Sequence, residues 1–112
     1  MQFENEKISD VLMVVYHNEK RLDANMAPSF VKYVTSVLDD QVNDLVIVLS
    51  EVDFIDSSGL GSLVTLLKRL NGRGAVYFVG VNPIVRDLFK LTRLDRLFVE
   101  YGSVEKAIEA LS

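Results

Sequence analysis

The residues best suited to chemistry lie together in Asp53-Phe54-Ile55-Asp56-Ser57-Ser58-Gly59-Leu60-Gly61. Two carboxylates and two hydroxyls sit between an apolar strand-like run and a helix-like one. A serine hydroxyl in such a place can attack a substrate, accept a phosphoryl group, or cap the helix that follows, and each role needs different company. Attack on a substrate by a nucleophile elbow requires glycine two residues to either side of the serine, but Ile55 or Asp56 holds the upstream place. A Ser-His pair would need His17, the single histidine of the chain, and its position after an apolar run predicts an exposed residue at the end of the second strand. Gly59-Leu60-Gly61-Ser62 offers backbone N–H groups at a helix start, where anions bind, but lacks the Gly-Lys-Ser/Thr ending of a nucleotide loop. Asp53 and Asp56 could form a metal or acid/base pair; no third ligand lies in the local sequence, and turn aspartates ordinarily solvate the turn and cap helices. Capping by one of the two serines, with Gly59 permitting the tight turn, leaves the other hydroxyl exposed at the C-terminal end of a strand, where α/β sheets present their sites.

The flanking elements follow from hydrophobic periodicity. Phe3 to Ile8 and the apolar, β-branched run Val11 to Tyr16, separated by Ser9-Asp10, predict an edge hairpin. After the polar connection His17 to Asn25, the segment Pro28 to Asp39 carries Phe30, Val31, Val34, Val37 and Leu38 at helical spacing. Leu45 to Leu49 is a five-residue apolar run of the kind buried on both faces of a sheet. Beyond the serine loop, Leu60, Leu63, Val64, Leu67 and Leu70 form a helical stripe that ends at Gly72 and Gly74. Ala75 to Val79 is a strand, Pro83 to Leu91 a helix with Val85, Leu88 and Phe89 inward, Leu97 to Tyr101 a strand, and Val104 to Leu111 a closing helix. The order β-β-α-β-α-β-α-β-α predicts an α/β fold, with a mostly parallel sheet under right-handed crossovers and an antiparallel N-terminal edge hairpin. Loops after neighbouring parallel strands gather at one edge, which brings Leu22-Asp23-Ala24-Asn25, locally an Asx turn before the first helix, towards the Ser57 loop.

Composition narrows the partners. With 112 residues, 49% of them hydrophobic, the chain suits one core and one domain, residues 1–112. Twelve Lys and Arg against sixteen Asp and Glu give a net charge of −4, which argues against nucleic acid. There are no cysteines, so disulfides and thiolate metal sites are excluded. Four charges and no apolar segment in residues 1–10 are unlike a secretory signal, and no apolar run approaches the roughly 20 residues of a membrane-spanning helix. A cytoplasmic protein without direct membrane insertion, cofactor or metal is expected.

Asp56-Ser57-Ser58-Gly59-Leu60-Gly61, preceded by Asp53-Phe54-Ile55 and an apolar strand, resembles the phosphorylation loop of bacterial anti-sigma factor antagonists, the single-domain members of the STAS family. Leu22-Asp23-Ala24 resembles the family's Leu-Asp before the first helix, and Gly74 to Val79 with Asn82 to Phe89 resembles its fourth strand and following helix. Leu94 and Phe98 fall near the family's closing strand, so the resemblance spans essentially the whole chain. One departure is visible: the family usually has a glycine shortly before its Leu-Asp, where this chain has Lys20-Arg21.

The resemblance implies a STAS-type mixed sheet and a regulatory protein with no catalysis of its own. Unmodified, it would bind an anti-sigma factor that is also a serine kinase and so release a sigma factor. Phosphorylation of Ser57 by that kinase would abolish binding, and a metal-dependent serine phosphatase would restore it. Asp23 matches an acidic residue that helps to present the phosphoacceptor, and Asp53, Asp56, Ser58, Gly59 and Leu60 would complete the partner-binding surface. A STAS subunit of a membrane lipid-transport complex of the ABC type is the alternative. Either a monomer or a weak dimer is compatible with the sequence.

Overall fold

The runs Leu12–His17 and Asp44–Val48 become adjacent central strands because their side chains are apolar on both faces and nearly all buried. In a computed structural model describing residues 2–70 and 72–112, they are β2 and β4 of a five-stranded sheet ordered β1-β2-β4-β6-β7. The other strands are β1 (Phe3–Lys7), β6 (Val76–Val79) and β7 (Val99–Tyr101). β1 runs antiparallel to β2, with Phe3 opposite His17, whereas β2, β4, β6 and β7 are mutually parallel. The expected mixed sheet with its N-terminal hairpin is therefore present.

Period-two alternation sorts the strands' side chains onto two unequal faces. Met13, Val15, Leu45, Ile47, Val76 and Phe78 point to the larger core, together with Phe30 and Val34 of α1 (Ala27–Val37), Leu63 and Leu66 of α2 (Ser57–Arg69), and Val85 and Phe89 of α3 (Pro83–Leu91). Leu12, Val14, Val46, Val48 and Val79 face the other way and meet Ala107 of α4 (Val104–Leu111). Three helices thus cover one face and a single short helix the other.

Three local features depart from the sequence expectation. The first helix ends at Val37 and not at Asp39: Leu38 is already extended, and the Asp39 carboxylate accepts from the Gln41 and Val42 N–H groups at 2.9 and 3.2 Å, which turns the chain towards β4. The last strand begins at Val99, because Arg93 adopts a left-handed conformation (φ 62°) and starts a 3₁₀ turn over Leu94–Arg96. A second small sheet also forms, in which β3 (Arg21–Leu22) pairs in parallel with β5 (Phe54–Ile55).

His17 departs furthest from expectation. It is 1% exposed, packed against the rings of Phe3 and Phe30 at centroid distances of 5.4 and 4.9 Å. Its Nε2 lies 2.8 Å from the Arg21 carbonyl oxygen, which can only accept, so Nε2 carries the proton in this contact. Nδ1 is buried without a partner. Burial lowers the pKa below the ordinary imidazole value, against smaller opposing effects of the Arg21 carbonyl, Glu19 and Asp23.

Candidate functional site

Two short pieces of chain, Arg21-Leu22-Asp23-Ala24 and Phe54-Ile55-Asp56-Ser57, lie side by side because β3 and β5 pair Arg21 with Phe54 and Leu22 with Ile55. Lys20 carbonyl oxygen accepts from the N–H groups of Asp53 and Phe54 at 2.9 and 3.2 Å, extending this zipper by one residue. The expected gathering of the Asp23 and Ser57 loops therefore occurs, through a pairing that the sequence reading did not include.

The N-cap of α2 is Asp56, not a serine. Its backbone is extended (φ −112°, ψ −174°), and Oδ1 accepts from the Gly59 N–H at 2.9 Å. Oδ2 accepts from the Ala24 N–H at 3.0 Å, so one carboxylate both starts the helix and ties it to the neighbouring loop. A serine could not do both, since a single hydroxyl oxygen does not span the two donors. Ser57 and Ser58 consequently occupy the first two positions of α2 with exposed side chains. Among the described residues neither hydroxyl has a hydrogen-bond partner.

Gly59 is buried directly under the Asp23 loop. A side chain there would overlap the Leu22 carbonyl oxygen and come within 2.7 Å of Ile55 Cγ1, so glycine is required for the close approach of α2 to β3 and β5. Gly59 has a packing role, while Ser58 is exposed and Leu60 half-buried beside it.

Asp23 is 8% exposed and satisfied on both oxygens. Oδ1 accepts from the N–H groups of Asn25 and Met26 at 3.1 and 3.2 Å, the turn that leads into α1, and Oδ2 accepts from Arg21 Nε at 2.9 Å. The Arg21 contact is the main reason that the Asp23 pKa lies below the ordinary carboxylate value. The same guanidinium sits 4.0 Å from the centre of the Phe54 ring, a cation–π contact. Arg21, which stands where the resembled family usually has glycine nearby, thus links Asp23 to the strand leading to Ser57.

The geometry gives neither serine a histidine base. His17 donates to the Arg21 carbonyl from within an aromatic pocket, which leaves it no route to act as base for an exposed serine. Among the described residues no group of three or more His, Asp or Glu side chains is placed to hold a metal ion. Nor, among them, is any helix long and apolar enough to cross a membrane.

Next to the serine loop lies an open groove of about 440 Å³. Phe54 forms one side and the outward face of α3, with Ile84, Leu88 and Leu91, forms the other; Asp53 and Asp87 also line it. Ile84 and Leu91 are 65% and 79% exposed. The sequence signal was available, as Ile84, Leu88 and Leu91 recur at four- and three-residue steps. The inward assignment of Leu88 holds, since it is half-buried and packs against the larger core as well as lining the groove; Ile84 and Leu91 have no role in the sequence reading.

Comparison with known proteins places these features in a wider group. The sequence matches the STAS domain family over residues 2–107. A Thermotoga maritima protein with the provisional name anti-sigma factor antagonist is 34% identical over 105 residues, 92% of either chain. An anti-sigma-B factor antagonist of Staphylococcus aureus is 33% identical over 84 residues, 73% of this chain and 78% of that one. Among solved structures, a Thermotoga maritima crystal structure with the same provisional name superposes with a TM-score of 0.86 at 30% identity, covering 97% of this chain and 93% of the other.

Proposed function

The chain belongs to the STAS domain family, and from that premise we propose that it is an anti-sigma factor antagonist that works by partner switching, with Ser57 as its phosphoacceptor. Its relatives are named for a regulatory role and not for a reaction, which favours this reading over a subunit of a lipid transporter. The observation that carries the site assignment is the position of Ser57: first residue of α2, exposed, and freed from capping by Asp56. The whole chain acts as a single domain, in the cytoplasm, on an anti-sigma factor that is also a serine kinase.

In the transfer step Ser57 Oγ attacks the γ-phosphorus of ATP bound to the kinase. A base on the kinase takes the hydroxyl proton, the bond to the β-phosphate oxygen breaks, and ADP leaves. Asp23 supports this indirectly, by fixing the loop beside α2. A metal-dependent serine phosphatase returns the hydroxyl by hydrolysis.

Two opposing effects decide what the phosphate does. It adds about −1.5 to −2 charges at neutral pH. At the N-terminal turn of α2, exposed backbone N–H groups favour an anion by up to about 2 kcal/mol, so the fold tolerates it. In a complex, the same phosphate roughly 6 Å from one partner carboxylate costs about 1.4 kcal/mol in water-like dielectric, rising several-fold near an effective dielectric of 20. Each ~1.4 kcal/mol is tenfold in affinity, so phosphorylation weakens the complex by about tenfold to ten-thousandfold. Asp53 and Asp56 deepen the negative field.

The direct test is incubation with ATP and the serine kinase encoded nearest to the gene, followed by mass spectrometry. One phosphate on Ser57, absent from Ser57→Ala, is the expected result. Full-level transfer to Ser57→Ala would refute the assignment.

A further inference from the structure

α3 is apolar on two sides. Val85 and Phe89 are buried against the sheet and half-buried Leu88 packs against the same core, while Ile84 and Leu91 are exposed and, with the edge of Leu88, line the groove across from Phe54. One apolar stripe is enough to dock a helix, so the second stripe serves another purpose; contiguous exposed apolar surface of this kind marks an interaction site. We propose that the groove between Phe54 and α3 is a docking surface for an aliphatic segment of the anti-sigma partner flanked by Lys or Arg, and that it holds the partner through contacts separate from Ser57. This inference rests on the partner-switching reading given above.

The chemistry of the occupant follows from the two charged residues lining the groove. Asp53 and Asp87 are exposed, and among the described residues neither carboxylate has a hydrogen bond or an ion pair. A purely apolar surface laid over the groove would strip water from both carboxylates without replacing it, which is unfavourable. An occupant carrying basic side chains beside its aliphatic ones compensates that loss and gains complementarity. A second copy of the chain, presenting the same face across a two-fold axis, would bring its own Asp53 and Asp87 into the acidic groove. An anionic lipid surface would be repelled. Continuity points the same way: only Ile55 and Asp56 separate Phe54 from Ser57, so a protein that covers the serine also covers the groove.

The test is calorimetric titration of the full chain into the serine kinase encoded nearest to the gene, at low and at high salt. Four forms are compared with wild type: Ile84→Ser/Leu91→Ser, Asp87→Lys, Ser57→Asp and Ser57→Asp combined with the double variant. The double variant is expected to keep the wild-type circular dichroism spectrum and bind at least tenfold more weakly, with KM for phosphorylation raised and kcat unchanged. Asp87→Lys should weaken binding more at low salt than at high. The groove changes should weaken Ser57→Asp as they weaken wild type.

Groove variants that bind within twofold of wild type would overturn the docking surface, even with Ser57 confirmed as phosphoacceptor. Loss of binding in the groove variants with Ser57→Asp unaffected would instead uphold the groove and refute the switch. Wild-type self-association abolished by Ile84→Ser/Leu91→Ser would assign the groove to a second copy and overturn the proposal. Groove-dependent binding to anionic phospholipid vesicles would do likewise, and no binding of the kinase by wild type would overturn both readings.

Discussion

At the scale of single residues, the decisive one is Asp56. Its two oxygens serve two different elements, the first turn of α2 and the Ala24 N–H. Replacement by alanine is expected to cost about 0.5–2 kcal/mol for the lost cap, visible in chemical denaturation, and to lower phosphorylation by loosening the loop. Gly59→Ala should be worse, because the added methyl has no room under Leu22. Overpacking of this kind costs about 1–3 kcal/mol, or roughly 4–15 °C in melting temperature. His17 gives a pH test. Its folded pKa is depressed by burial, so the unfolded chain takes up the proton first, and stability present above about pH 6.5 falls as the pH drops towards the folded value. Thermal melts between pH 7 and 5 should show this decline, and His17→Phe should flatten it. The reactive stretch was legible in the sequence as a unit, but its internal assignments were not. Asp56, Ser57 and Ser58 are all good N-caps, and only the second contact to Ala24 selects the aspartate. His17 ends a strand, as expected. Its burial depends on Phe3 and Phe30, which reach it from another strand and a helix.

At the scale of elements, α3 tests the assignment of faces. Phe89→Ala should cost about 3–5 kcal/mol, as an aromatic side chain lost from the core, whereas Leu91→Ala two positions on should stay within about 0.5 kcal/mol. Urea unfolding of the two variants separates them. Long periodic or continuous apolar segments were read to within a residue or two: β2, β4 and β6 from their runs, α2 and α3 from their stripes. What escaped was short or set by side chains. β3 and β5 are two residues each, too few to show a period, yet their pairing aligns Asp23 with Asp56. Asp39 ended α1 early by folding back on its own backbone, an option that competes with helix wherever aspartate sits near a terminus.

At the scale of the whole molecule, phosphorylation should act on complexes and leave the fold alone. Phospho-Ser57 protein is expected to keep the circular dichroism spectrum of the unmodified form and to melt within a few degrees of it, since the new anion sits on helical N–H groups. A largely unfolded phospho-form would refute the electrostatic account of silencing. The strand and helix order pointed to a mixed, mostly parallel sheet, but not to the distribution of three helices on one face and one on the other. Strands buried on both sides look alike whichever helix covers them. The sheet's outer strands carry a last consequence. β1 exposes Glu4, Asn5, Glu6 and Lys7, and β7 is only three residues long, so neither border offers a long apolar template to another chain. Borders of this kind guard against edge-to-edge pairing between copies when the protein is concentrated.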